Sequence, residues 1–195
     1  MSTGSPRQLW LLPVLLITVI ATALGGLLAR DLYSETPADP PPTVVATSPS
    51  PKPSGQQPGP ATVQGTADAV AHPLYGTLQP LLQTYFEAIN DKDYERWSSA
   101  VTYERQTNQP EQKWQKEFRS TRDGNIVMHR VEARGDGTAR VLLTFTSTQD
   151  VADAPRELPR PCIHWNVVWA FSTEDGDWKL AAGPASATPQ HEPCG

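Results

Sequence analysis

Both cysteines and two of the four histidines of this chain fall in two short clusters, Cys162-Ile163-His164 and His191-Glu192-Pro193-Cys194. Two kinds of chemistry are open to such a set. The cysteines can pair, closing a loop of 33 residues; chain entropy alone would then stabilise the domain by about 3.7 kcal/mol. Alternatively, Cys162, His164, His191 and Cys194 supply two thiolates and two imidazoles, the donors of a tetrahedral zinc site. Neither cluster has the usual zinc-finger spacing. In an oxidising compartment the thiols pair, so the disulfide is the expectation, the zinc set is its alternative, and no cofactor is expected.

Acid–base chemistry has two candidates, His129 and Tyr85. His129 alternates with Val127, Val131 and Ala133, which puts an ionisable ring on the strand face expected to look inward. A hydrogen-bonded core histidine is the plainer explanation. Tyr85 could aim its hydroxyl into the same cavity, serving as donor to a substrate while His129 serves as base, although a tyrosine there is also ordinary core. No carboxylate is expected on an inward strand position. Glu132 shares a face with Arg130 and Arg134; Asp150, Asp153 and Glu157 lie in a long connection. Asp123 is grouped with Glu104, Glu111 and Glu117 among Arg105, Lys113, Lys116, Arg119 and Arg122, a nearly neutral solvated face. The domain carries no Gly-rich phosphate loop, serine nucleophile elbow or paired metal carboxylates.

Which compartment decides the cysteine chemistry is set at the front of the chain. Residues 9–28 (LWLLPVLLITVIATALGGLL) contain no charge, and 20 residues at about 1.5 Å each make a helix of about 30 Å, the thickness of a bilayer's hydrocarbon core. The expectation is a single-pass anchor in the cell membrane. Residues 1–8 would be cytoplasmic, because Arg7 lies on the short side while Arg30 is offset by Asp31. The alternative is a signal peptide cut after Ala21-Thr22-Ala23, which would secrete the domain. Either way the rest is extracytoplasmic. Residues 29–66 are expected to be a linker: nine of the 24 residues from Pro37 to Pro60 are proline, set among Ser, Thr, Ala and Gly. O-glycosylation and an unmodified spacer are both compatible with that composition. Residues 67–195 carry 13 basic and 18 acidic side chains, the whole net charge of -5. That acidic balance excludes nucleic acid as an expected partner.

The elements that must position these residues follow from periodicity. Leu78, Leu81, Leu82, Tyr85, Phe86 and Ile89 recur every three or four residues and predict a helix over 78–90, with Pro80 in its first turn. Asp93 is a good N-cap for a second helix carrying Tyr94, Trp97 and Val101, and a third starts at Pro110 with Trp114 and Phe118 on its buried face. Four strands are predicted at 125–134, 138–148, 163–173 and 178–182. Asp136-Gly137 and Asp175-Gly176 mark hairpins. Val141, Leu143 and Phe145 share one face of the second strand, as do Ile163, Trp165, Val167, Trp169 and Phe171 on the third.

This α+β order, three helices before an antiparallel sheet of about four strands, carries a resemblance. The segment LLQTYFEAINDKDYERWSSAV looks like the opening helix pair of the nuclear transport factor 2-like (SnoaL-like, cystatin-like) cone superfamily. QPEQKWQKEFRST resembles the third helix of exported actinobacterial members. The resemblance spans about Leu74 to Ala182 and implies a conical domain with a pocket between sheet and helices, often a homodimer through the sheet. Members include isomerases, dehydratases, cyclases and non-catalytic modules, so the fold does not choose among them. The catalytic pattern of the isomerases is not reproduced. The expectation is a membrane-anchored, extracytoplasmic, non-catalytic module that binds a protein or envelope partner. The alternatives are a cone-pocket small-molecule binder or isomerase/dehydratase-type enzyme, and a subunit of a secretion or conjugation apparatus.

Overall fold

A computed structural model describes residues 57–183 and 189–194, all within one compact unit, Pro49–Gly195. The predicted anchor at 9–28, the residues before it and most of the predicted linker lie outside the described residues. Among the described residues no helix is long and apolar enough to cross a membrane.

The chain enters as strand β1 (Gln64–Gly65), followed by helices α1 (Ala67–Val70), α2 (Tyr75–Asp91), α3 (Tyr94–Ala100), α4 (Tyr103–Asn108) and α5 (Glu111–Glu117). Among the described residues, strands β2 (Arg122–Ala133), β3 (Thr138–Thr148), β4 (Cys162–Glu174), β5 (Asp177–Leu180) and β6 (Gln190–Pro193) follow, with a 3-10 turn at Val151–Asp153. Helix α2 buries Leu78, Leu82, Tyr85, Phe86, Ala88 and Ile89 on one stripe, close to the predicted set. It begins three residues earlier than the periodicity indicates, so Pro80 sits in the helix interior. A proline there crowds the carbonyl four residues before it. That residue is Gly76. The Asp93 carboxylate accepts the backbone N–H of Arg96 at 2.9 Å and starts α3 as expected.

The sheet runs β1-β2-β3-β4-β5, with β6 on β4 beyond the path. It has six strands rather than about four, and it is mixed, because β1 pairs parallel with β2 at Gln64↔Val127. The two added strands are two and four residues long, too short to show a period of their own. Residues assigned to the linker as far as 66 therefore belong to the fold from at least Pro60, whose carbonyl accepts the N–H of Asn125 at 2.8 Å. The hairpin β4–β5 turns through Asp175 (φ 54) and Gly176 (φ 90). Two consecutive positive φ values are what a two-residue type I′ turn needs, and Asp-Gly supplies them at least strain.

The core lies between the helices and one face of the sheet. Val141, Leu143, Val167 and Phe171 from β3 and β4 are buried there with Leu78, Phe86 and Ile89. Phe86 stacks on Trp169 with ring centroids 5.5 Å apart and meets Phe145 edge-on at 5.1 Å. Fully burying a ring of this size is worth about 2–3 kcal/mol; Phe86 is fully buried, while Phe145 and Trp169 are partly buried and pack against it.

Candidate functional site

Because β3 and β4 turn their odd-numbered residues toward the helices, Thr144, Thr146, His164 and Asn166 face the other way. On that outer face the cross-strand register lines up Gln64, Val127, Thr144, Asn166 and Gln190 in one row over five strands. The next row holds Thr146, His164 and Glu192. Two short segments wall the row in. On one side residues 58–59 cross directly over Gly124, where a Cβ would lie 2.5 Å from the Gly59 carbonyl oxygen. On the other, β6 is held against β4 by the Cys162–Cys194 disulfide. The result is a trough of about 1040 Å³ floored by β2, β3 and β4.

Two histidines mark its floor. His129 Nε2 lies 2.8 Å from Thr144 Oγ1, and His164 Nδ1 lies 2.8 Å from Thr146 Oγ1. Each ring thus spends one nitrogen on a β3 threonine. The carboxamides of Gln64, Asn166 and Gln190 are exposed beside them. The sequence places Thr144, Thr146 and Asn166 on the polar face of their strands, the only signal it carries for them.

His129 is a correction. Its expected inward position assumed unbroken alternation back from Val131. The register instead pairs Met128 with Leu143 and Arg130 with Leu142, leaving His129 as an extra residue in a β-bulge. The extra residue inverts the parity: Met128 is the fully buried neighbour of Leu143, and His129 looks outward. Tyr85 is on the opposite side of the sheet, 3% exposed, with its ring edge-on to Trp169 at 5.1 Å. Its hydroxyl accepts from Arg105 Nη2 at 3.0 Å, and the Arg105 guanidinium lies 5.3 Å over its ring. The sheet separates Tyr85 from His129, so the two do not share one cavity.

The zinc alternative is also corrected. Cys162 and Cys194 are joined, with Cα atoms 5.4 Å apart, and their sulfurs are unavailable as thiolates. The two histidines diverge as well. His164 bonds Thr146 on the outer face, whereas the His191 ring packs on Trp165 at 5.1 Å.

Asp123 is the residue that charge patterning misplaced. It is 3% exposed rather than solvated, at the start of β2, where it accepts the Ser147 hydroxyl from the opposing position on β3. Burial pushes its carboxyl up to about 6, against the opposing effects of the Ser147 hydrogen bond and the Lys92 charge. Burial likewise lowers Lys92, whose ammonium donates to the carbonyls of Ile89 and Thr121. Asn90 completes the knot: its side chain accepts the Asp123 N–H at 2.7 Å and donates to the Asp123 carbonyl at 2.9 Å. An inward carboxylate therefore exists, contrary to expectation, and it ties the end of α2 to β2. Nothing in the local sequence distinguishes it from the neighbouring surface charges, because its partners come from 24 and 33 residues away.

No family model matches the sequence, and no curated protein matches it. Among solved structures, the chain is similar to a SEC-C motif containing protein from Rhodopseudomonas palustris, at 13% identity and TM-score 0.45, over 56% of this chain and 78% of that one. It is similar to an uncharacterized protein with a cystatin-like fold from Caulobacter vibrioides, at 17% identity and TM-score 0.41, over 54% and 82%. A candidate polyketide cyclase from Pseudomonas putida matches at 14% identity and TM-score 0.37, over 57% and 94% of the two chains.

Proposed function

We propose that the folded unit is a non-catalytic binding module of the nuclear transport factor 2-like type, displayed in the cell envelope, that takes its ligand in the outer-face trough. One observation carries this reading. The space between helices and sheet is occupied by the packed rings of Tyr85, Phe86, Phe145 and Trp169, whereas side chains with unused hydrogen-bonding capacity gather in an open trough on the other face. Display outside the cytoplasm accords with the disulfide, since such bonds persist in oxidising compartments. A membrane anchor at 9–28 and a proline-rich spacer would give the module its reach, and partners in a secretion or conjugation apparatus fall within the same reading.

A second reading has Asp123 behind it: a buried carboxyl with a raised pKa is the kind of acid an isomerase or dehydratase uses. It requires a path to a side chain that is now enclosed. Complementation of a deletion strain separates the two. Asn166→Trp, which fills the trough, is expected to abolish function while the protein remains folded, and Tyr85→Phe and Asp123→Asn are expected to retain it. Loss of function in Tyr85→Phe or Asp123→Asn with the fold intact would transfer the site to the interior.

A further inference from the structure

The trough has a donor and acceptor composition that selects one ligand chemistry. Its described lining contains a single carboxylate, Glu192, and no lysine or arginine. Phosphate, sulfate and polyanions are held through fixed cations, so lipid headgroups and nucleic acids have nothing to bind here. A peptide adding to a sheet pairs with a free backbone edge, yet the floor is a sheet face whose N–H and C=O groups are spent in the β2–β3–β4 ladders. Recognition must come from side chains alone. They include carboxamides (Gln64, Asn166, Gln190), threonine hydroxyls (Thr144, Thr146) and the imidazoles of His129, His164 and His191. Carboxamides and hydroxyls each combine donor and acceptor capacity without a fixed charge.

Strands repeat about every 4.8 Å, so the row from Gln64 to Gln190 crosses four spacings and extends about 19 Å. From this row we infer that the trough binds a neutral oligosaccharide laid across the strands, its hydroxyls meeting carboxamide, hydroxyl and imidazole groups in turn. The inference rests on the trough being the binding site and adds the class of ligand. Val127, in the same row, gives the apolar face of a sugar ring one contact amid the polar ones.

The test uses the full-length chain in detergent, applied to a printed panel of neutral glucan, mannan, galactan and arabinan oligosaccharides beside uronic-acid-bearing and sulfated ones. At least one neutral series is expected to be retained, with affinity nearly unchanged between about 50 and 500 mM salt, as befits a site without fixed cations. Asn166→Ala and Gln64→Ala, both exposed positions, should each weaken it about tenfold, equivalent to about 1.4 kcal/mol, with circular dichroism unchanged. Tyr85→Phe should bind as the parent does. Retention of acidic glycans alone, a steep loss with salt, or indifference to both trough variants overturns the inference. A photo-crosslinker at position 166 in intact cells separates the two levels. If no glycan binds but a single protein is trapped there, the saccharide is wrong and the trough still binds; if neither occurs, both readings fall.

Discussion

Asp123 has its carboxyl sealed between two β-strands and the end of a helix, and its chemistry predicts a pH dependence of stability. Its folded pKa of about 6 lies above the ordinary 3.8, so folding favours the protonated form. The contribution is fully present below the ordinary value and is lost as pH rises through about 6, a change of about 3 kcal/mol by linkage. Asn at this position can still accept the Ser147 hydroxyl and has no charge to bury. Urea unfolding of Asp123→Asn from pH 4 to 7.5 is expected to show a flatter stability profile than the parent; identical profiles would refute the assignment. Gly124, next along, makes a purely steric prediction. Ala there would place its Cβ 2.5 Å from one backbone oxygen and 2.9 Å from another. Residues 57–62 should then lift from the sheet, read as faster amide exchange at Asn125, whose N–H bonds Pro60. The need for glycine was not legible in the sequence, since the crossing segment arrives from 65 residues upstream.

At the scale of elements, β6 depends on one covalent contact. It pairs with β4 over Ile163 to Asn166 only, and the Cys162–Cys194 bond closes the end of that pairing. The paired serine variant, Cys162→Ser with Cys194→Ser, is expected to lose about 3–4 kcal/mol, with protection of residues 190–193 falling first in hydrogen exchange. Equal loss across the whole sheet would show that the bond holds more than β6. Helix α2 makes the complementary case: Phe86 is fully buried against Phe145 and Trp169, and Phe86→Ala should cost about 3–5 kcal/mol in chemical denaturation. Helices α2, α3 and α5 were legible because each carries buried apolar residues at helical positions; α1 and α4, which raise the count among the described residues from the expected three to five, were not, α1 being one turn long and α4 burying no side chain. The Asp-Gly hairpin was legible because its turn requires positive φ at both positions. The bulge at His129 was not, for one extra residue leaves no mark on composition. It nevertheless reverses which side chains of β2 face the core on the N-terminal side of the bulge, while Val131 beyond it stays inward.

For the molecule as a whole, the consequence is a sheet used on both faces. The inner face is committed to rings from the helices, and the outer one carries a walled trough that exists only when residues 57–62 and 189–193 are in place. A ligand that binds only this folded arrangement stabilises it by mass action, by about 2.7 kcal/mol at a concentration of about one hundred times Kd. Thermal unfolding with a saturating neutral oligosaccharide should therefore shift upward in the parent, and Asn166→Trp should show no shift. A similar shift in that variant would place the ligand elsewhere.

Local information in the chain determined the α+β class, the main helices and strands, and the pairing of the two cysteines. Those features depend on periodicity, turn chemistry and redox setting, which act over a few residues or on the chain as a whole. The position of His129, the burial of Asp123 and the walls of the trough were decided only by tertiary structure. Each depends on which distant segments meet: a register shift between β2 and β3, a hydroxyl contributed by Ser147, and the entry of residues 57–62 across Gly124. Long-range register and packing are set by the total fit of the core, and no short stretch of sequence encodes them.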